Sequence, residues 1–180
     1  MENRKIARTR VAAPAAAQEP GYKVVTVGEL DRAIFDELQR TGAAKTAADG
    51  GYTITDTKAA RSQTVLPKVL DRLGKAGWLL CAVNKMECYI FRCLPAGERV
   101  EYKVVTPGEM DRMSLQSLEA AGVAAFAGMD DGKPVMQILD PARARIQEVL
   151  PAVMQGLASD GWQLAAINGP QLYIFARHTR

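Results

Sequence analysis

The sequence is poor in the residues that build metal and catalytic sites. It contains one histidine, His178, close to its last residue, where a fraying terminus would support a triad or a metal ligand poorly. Its three cysteines, Cys81, Cys88 and Cys93, have a spacing unlike any common zinc pattern. Their odd number predicts free thiols in a reducing, cytoplasmic setting. We therefore predict no metal and no cofactor.

The sequence also lacks long apolar runs and a strong charge of either sign. No run approaches the roughly 20 apolar residues of a membrane-spanning helix, so no membrane span is expected. The formal net charge is +3, of which +2 falls within residues 1–20. The near-neutral remainder argues against a nucleic-acid partner, because neutralising phosphates takes clustered cations. The basic N-terminal stretch lacks the apolar core of a signal peptide, so we expect it to be retained.

No catalytic motif is recognisable in the remaining sequence. No loop has the glycine, lysine and Ser/Thr pattern that cradles phosphate, and no set of nucleophile, base and oxyanion donors can be assembled. Two pairs of carboxylates, Glu29 with Asp31 and Glu109 with Asp111, each fall in the first turn of a predicted helix. The helix dipole favours acids there, so capping explains them. We predict no catalytic residue, and the balance of the sequence is against an enzyme.

What the sequence does contain is one series of residues written twice. "YKVVTVGELDR" from Tyr22 matches "YKVVTPGEMDR" 80 positions later, and "VLPKVLDRLGKAGWLLCAVNKMECYIF" from Val65 matches "VLPAVMQGLASDGWQLAAINGPQLYIF" 84 positions later. Repeats of this length indicate duplicated small domains. The predicted divisions are a flexible, basic, Ala/Pro-rich arm (1–21), repeat 1 (22–94), a linker (95–101) and repeat 2 (102–180).

Each copy predicts the same series of elements. A "YKVV" strand leads into a helix that opens on a capping box, Thr26 with Glu29 in the first copy and Thr106 with Glu109 in the second. A tight hairpin follows at Asp-Gly, in 48–51 and 129–132. The first helix of each copy is predicted to stop at Gly42 and Gly122, and its predicted apolar positions are Leu30, Ile34, Phe35 and Leu38, then Met110, Leu115 and Leu118.

A second helix is predicted in each copy, capped by Asp56 and by Asp140. Pro67 and Pro151 fall inside it at matching positions, where each should kink or split the helix. Its apolar positions in the second copy are Ala142, Ile146, Val149, Leu150, Val153 and Leu157.

The second helix is predicted to end in a structural corner. If Gly77 adopts the left-handed conformation that ends a helix, Trp78 follows it and contacts Leu73 one turn back. A six-residue strand and a returning "YIF" strand come next. The corner of the second copy consists of Leu157, Gly161 and Trp162. Both tryptophans are therefore interpreted as structural and not as ligand-stacking residues.

These residues resemble a small bacterial family of domains of unknown function, the one numbered 4177. Its pattern is a Tyr-Lys-Val-Val strand, a helix, a Gly-Trp-Glu-Leu corner and a closing Tyr-Ile-Phe strand. Leu79 and Gln163 stand where that family has glutamate, and Ala176 stands where the first copy keeps Arg92. The resemblance implies no catalytic residue, because the family carries no established chemistry.

The predicted fold class is α+β, in two tandem copies of a two-layer unit. Each unit has an antiparallel sheet with its helices on one face, in ferredoxin-like order plus one strand. Because the linker is short, we expect the copies to touch as a pseudo-two-fold pair.

The leading functional hypothesis is a non-enzymatic interaction module, an accessory or assembly subunit of a larger complex or homo-oligomer. Side chains alternate along a strand, so one face of the strand after Gly77 should be open and should need a cover. The alternatives are a small-molecule-binding or catalytic domain with a pocket between the repeats and, more weakly, RNA binding through a sheet face. The predicted partner-binding residues are Arg4, Lys5, Ile6, Arg8, Arg10 and Val11 of the arm and Leu79, Cys81 and Val83 of that open strand face.

Overall fold

The chain has a mixed α+β fold, seen in a computed structural model that describes residues 21–47, 50–84, 88–131, 133–168 and 172–179. The α+β class expected from the sequence is confirmed. In chain order the elements are β1 (Tyr22–Val25), α1 (Val27–Arg40), β2 (Ala44–Thr46), β3 (Tyr52–Ile54), α2 (Ser62–Lys75), β4 (Trp78–Val83), β5 (Tyr89–Cys93), β6 (Arg99–Val105), α3 (Pro107–Ala120), β7 (Ala124–Asp130), β8 (Lys133–Ile138), α4 (Ile146–Ser159), β9 (Gln163–Asn168) and β10 (Leu172–Thr179).

The strands of the described residues form small antiparallel sheets. A three-stranded sheet has the order β1-β5-β4, and a second has the order β6-β10-β9. The strand pairs β2–β3 and β7–β8 form separate two-stranded hairpins, so the expectation of one sheet in each half was wrong on this point. The second hairpin is longer, because the four extra residues of the second half fall there. Strand β6 begins at Arg99, which shortens the predicted linker of 95–101.

The first helix of each half begins and ends as the sequence predicts. Thr26 and Thr106 each accept a hydrogen bond from the backbone N–H of a glutamate three residues on, and the carboxylate of that glutamate accepts one from the threonine N–H. At the other end, the N–H of Ala43 donates to the carbonyl of Leu38 over 2.8 Å, and Gly42 has a φ of 74°. The equivalent stop in the second half is Gly122, with a φ of 66°.

The second helix of each half starts later than predicted. Asp56 accepts hydrogen bonds of 2.9 and 3.0 Å from the N–H groups of Lys58 and Ala59, which closes a turn that precedes α2. Asp140 closes a similar turn before α4. Both helices run without interruption through Pro67 and Pro151, so the expected split does not occur. A proline removes a single intrahelical hydrogen bond, and buried side chains flank both prolines, so packing holds the helix across the gap.

The predicted corner after the second helix is present in both halves. Gly77 and Gly161 have φ angles of 83° and 85°, the left-handed conformation in which glycine is favoured. The N–H of Trp162 donates to the carbonyl of Leu157 over 3.0 Å, which closes the helix end. Trp78 packs in the same apolar core as Leu73. Both tryptophans are half-buried against apolar clusters, and their structural role stays a prediction.

The two halves meet where α2 lies against β6 and where β4 lies near β9. A Cβ built on Gly74 of α2 would lie 2.1 Å from the carbonyl oxygen of Val100. A side-chain rotation cannot relieve a clash with a backbone atom, so only glycine permits this approach. One turn earlier in α2, Asp71 accepts a 2.6 Å hydrogen bond from the backbone N–H of Tyr102. The helix therefore covers the edge of β6 that faces away from β10.

The hydroxyl of Tyr102 ties β6 to the edge of β4. It accepts a 2.7 Å hydrogen bond from the N–H of Leu80 and donates a 3.0 Å bond to the carbonyl of Trp78. Burial raises the pKa of Tyr102, which keeps the hydroxyl protonated and able to donate. The surrounding core draws on both halves, with Leu66, Leu70, Leu80 and Phe91 from the first and Val100, Val104, Ile174 and Ala176 from the second.

The contacts between the halves do not confirm the expected pseudo-two-fold pairing. A two-fold axis would give matching residues matching surroundings. Tyr102 is 4% exposed, whereas Tyr22, which begins the same Tyr-Lys-Val-Val sequence, is 76% exposed. A helix and a strand edge of the first half therefore meet a sheet of the second half, and these are different surfaces.

Replacing Gly74 with alanine should lower the free energy of unfolding by about 1–3 kcal/mol, because the new methyl group would force α2 and β6 apart. The matched control is Gly156→Ala in α4, where a Cβ meets nothing within 4 Å. That change should raise stability by up to about 1 kcal/mol through helix propensity. Thermal or denaturant unfolding of both variants measures the difference. A Gly74→Ala protein as stable as the parent would show that the two backbones do not need this approach.

Candidate interaction surface

The described part of the chain assembles no catalytic constellation. Within it, no three His, Cys, Asp or Glu side chains lie close enough to hold a metal ion. Nδ1 of His178 lies 3.6 Å from a carboxylate oxygen of Glu98, and both side chains are about half exposed. A pair so exposed contributes little to stability. None of the helices that the structure describes is long and apolar enough to cross a membrane.

The three cysteines lie in or near β4 and β5. Cys81 is exposed, and Cys88 and Cys93 are half-buried. The thiols of Cys81 and Cys93 each lie 3.4 Å from a backbone carbonyl oxygen. A redox role for any of them has no support in this geometry, and their reduced state stays a prediction.

One buried carboxylate was missed by the sequence analysis. Glu37 of α1 has a side chain only 1% exposed, and both of its oxygens face arginines. Arg40 donates to it over 2.8 and 3.1 Å, and Arg72 of α2 also pairs with it. Hydrogen bonding from Arg40 holds the pKa of Glu37 below its ordinary value. Since both oxygens are occupied, the group ties α1 to α2 and is not placed for acid–base chemistry.

A cavity of about 290 Å³ lies between the halves. Leu79, Cys81 and Ala176 give it apolar walls, and Gln163 and His178 add the polar groups. This is where the sequence analysis placed the alternative pocket. No acidic residue is among the residues that line it.

A β-bulge interrupts the predicted open face of β4. The pairing of β4 with β5 shifts around Cys81, so strict alternation ends there. Leu79 lies opposite Arg92, whereas Val83 lies opposite Tyr89, and these two partners project from opposite faces of β5. The expectation that Leu79, Cys81 and Val83 share one face was therefore wrong.

The predicted partner-binding residues fall into two groups. Leu79 and Val83 are half-buried against the core that both halves share, and Cys81 is exposed. Strand β9 supplies part of that cover. The residues of the arm, Arg4, Lys5, Ile6, Arg8, Arg10 and Val11, lie outside the described residues.

The first sheet exposes apolar side chains of β1 that sequence reasoning did not single out, on the side where Leu79 lies opposite Arg92. Tyr22 pairs with Arg92 and Val24 with Ile90, so these four side chains share one side of the sheet. We call this side the outer face. Tyr22 and Val24 are 76% and 55% exposed. Large apolar side chains clustered in water commonly mark an interaction surface.

The same sequence is buried in the second half. Tyr102 and Val104 occupy the positions that Tyr22 and Val24 hold in β1, and they are 4% and 5% exposed. They lie in the core that α2 and β4 build with β6. A protein surface therefore covers this face in the second sheet, whereas the described residues leave it open in the first.

The outer face adjoins an open strand edge. The N–H of Cys93 donates to the carbonyl of Gly21 over 2.9 Å, so Tyr22 and Arg92 form a non-hydrogen-bonded pair. The N–H groups of Tyr22 and Val24 then point away from β5, toward the free edge. The corresponding N–H in β6, that of Tyr102, is bound by Asp71. An edge with open N–H groups can bind another chain.

Helix α4 presents a second uncovered surface. On α2, Leu66 and Leu70 are buried and Gly74 lies on β6. The residues 84 positions later on α4 are Leu150 and Met154, which are half-buried, and Ala158, which is exposed. On α4 the corresponding face is only partly covered, because Leu150 and Met154 also pack against the second core while Ala158 is exposed.

Comparison with protein-family models, with curated proteins and with solved structures gives no match for this chain. The fold and these surfaces therefore carry the functional argument.

The Glu37→Gln variant should lose about 1.5–3 kcal/mol of stability near pH 7, because it removes charge-assisted hydrogen bonds from a buried site. The folded-state pKa of Glu37 is lowered, so its contribution is full above its ordinary value of 4.5 and is lost as the pH falls through the lower folded value. The gap between parent and variant should close in acid. Denaturant unfolding at neutral and acidic pH measures it, with the exposed Glu119→Gln as control. A gap that is absent at pH 7, or constant with pH, would contradict the assignment.

Proposed function

We propose that this chain is a non-enzymatic interaction module, an accessory or assembly subunit that binds another protein through the outer face of its first sheet. The described residues form a packed scaffold, and their exposed apolar side chains include Tyr22 and Val24 on that face. Their titratable groups are exposed or occupied by structural contacts, as with Glu37. A cytoplasmic location and a contribution from the arm, residues 1–21, are parts of the same proposal.

The observation that carries this proposal is the difference between two identical sequences. The tyrosine and the first valine of Tyr-Lys-Val-Val are exposed in β1 and buried by protein in β6. The buried copy is covered by apolar helix residues and by a hydrogen bond to its free edge. A surface that fits protein once in the molecule is suited to bind protein again, and burying a valine side chain contributes about 1.5–3 kcal/mol.

We also propose that the two halves are copies of one unit, resembling the family of unknown function numbered 4177. The support is the matched order of elements, the two capping boxes and the two glycine corners. In this proposal the copies pack head to tail, since different surfaces of each meet.

The test is the size of the native protein in extract. Size-exclusion chromatography should place it well above its monomer mass of 19.5 kDa. Val24→Lys, which puts a charge on the outer face, should shift it toward the monomer. The control is Val135→Lys on β8, a valine of comparable exposure far along the chain from β1. A parent protein that elutes as a free monomer, or a Val24→Lys variant that stays in the large species, would refute the proposed surface.

A second candidate is a small-molecule site in the cavity between the halves. Its support is the cavity of about 290 Å³ lined by Leu79 and His178. A thermal-shift screen of metabolites tests it, because a ligand bound to the folded state raises the melting temperature. Stabilisation that Cys81→Phe abolishes would favour this candidate, because Cys81 is exposed and lines the cavity, and a screen without stabilisation would remove it.

A further inference from the structure

We infer that the partner on the outer face is a second copy of this chain, which lays its helix α4 along β1 in the way that α2 lies along β6. This inference rests on the proposed function and names its partner. Each side of the contact between the halves recurs once in the molecule, with its surface open on β1 and partly open on α4. The strand side recurs at β1, and the helix side recurs at α4.

The strand side offers the same chemistry in both places. Tyr22 and Val24 repeat Tyr102 and Val104, with the same spacing and the same pairing to the central strand of their sheet. In β6, the N–H of Tyr102 binds Asp71 of α2. In β1, the N–H of Tyr22 points to the free edge. Strand β1 therefore offers an apolar stripe beside an edge N–H, the same two features that α2 contacts on β6.

The helix side also repeats, with changes that preserve its chemistry. Leu150 and Met154 stand where α2 has Leu66 and Leu70, so the apolar stripe is kept. Gln155 stands where α2 has Asp71, and its side-chain carbonyl can accept a hydrogen bond from the N–H of Tyr22. Gln155 is neutral, whereas Asp71 is a carboxylate. The hydrogen bond between the Tyr22 N–H and Gln155 therefore lacks the charge assistance that Asp71 gives on β6.

The difference between Ala158 of α4 and Gly74 of α2 sets the strength of the proposed contact between copies. Ala158 stands where α2 has Gly74, and a Cβ at Gly74 would lie 2.1 Å from a backbone oxygen of β6. Helix α4 must therefore lie farther from β1 than α2 lies from β6. The contact between copies is accordingly weaker than the contact between halves, and the assembly should depend on protein concentration.

The contact joins two different surfaces, so it is heterologous. Two copies can exchange it reciprocally and close as a dimer, or successive copies can extend it as a chain. In both cases a single copy offers one β1 and one α4. An interface that pairs a surface with itself would instead use the same surface on both copies.

Sedimentation velocity of the purified chain over a wide range of concentration tests the inference. The parent should associate. Val24→Lys on β1 and Ala158→Lys on α4 should each weaken association by about tenfold or more, because each puts a charge into the apolar contact. The controls are Val135→Lys and Ser159→Lys. Position 159 corresponds to Lys75 of α2, which is exposed beside the contact with β6, so a lysine there should be tolerated.

Mixing the two weakened variants gives the sharpest result. Val24→Lys keeps an intact α4 and Ala158→Lys keeps an intact β1, so their equimolar mixture should associate more strongly than either variant alone. Association that the variants leave unchanged, or a mixture no stronger than its components, would overturn the inference.

A purified parent that stays monomeric at every concentration would also overturn it. If the same protein is large in extract and Val24→Lys makes it small, the proposed function stands and the partner is another protein. If it is monomeric in extract as well, both fail. Circular dichroism of each variant establishes that it is folded, and positions 24 and 158 are exposed in the single chain, so folding should be kept.

Discussion

The close approach of α2 to β6 is the contact on which the arrangement of the molecule depends. Gly74 permits it, because any side chain would strike the carbonyl of Val100. Once the helix lies there, Asp71 can bind the N–H of Tyr102, and the tyrosine hydroxyl reaches the edge of β4. Helix α2 and the edge of β4 then bury β6. The shared core follows from this contact, and so does the difference in exposure between the matching residues of β1 and β6.

The different exposure of β1 and β6 connects the packing with the proposed function. Identical Tyr-Lys-Val-Val sequences have identical intrinsic propensities, so their different exposure comes from tertiary contacts alone. One copy meets the helix of its neighbour along the chain, and the other has no such neighbour. In the proposed head-to-tail arrangement, units that each bury a face on the next leave one face open at each end. Open ends of this kind favour association. The titratable groups of the described residues, in contrast, are exposed or form structural pairs.

Much of the local structure could be predicted from the sequence, because local signals determine it. The capping box of Thr26 and Glu29 and the left-handed Gly77 both depend on residues adjacent in the chain. Most of the errors arose where distant packing decides, whereas the late start of α2 comes from a local turn. A bulge at Cys81 changed which residues of β4 share a face, and a turn closed by Asp56 delayed α2. The pairing of Glu37 with Arg72 joins two helices, and no local sequence pattern predicts it.

Amide hydrogen exchange at Tyr22 and Tyr102 is the most direct test that the two matching strands differ in cover. In dilute protein, the Tyr102 amide should be strongly protected, because Asp71 binds it inside a core drawn from both halves. The Tyr22 amide should exchange quickly when dilute and should gain protection as the protein is concentrated, while Tyr102 changes little. Equal protection of the two amides in dilute protein, or fast exchange at Tyr102, would contradict the account.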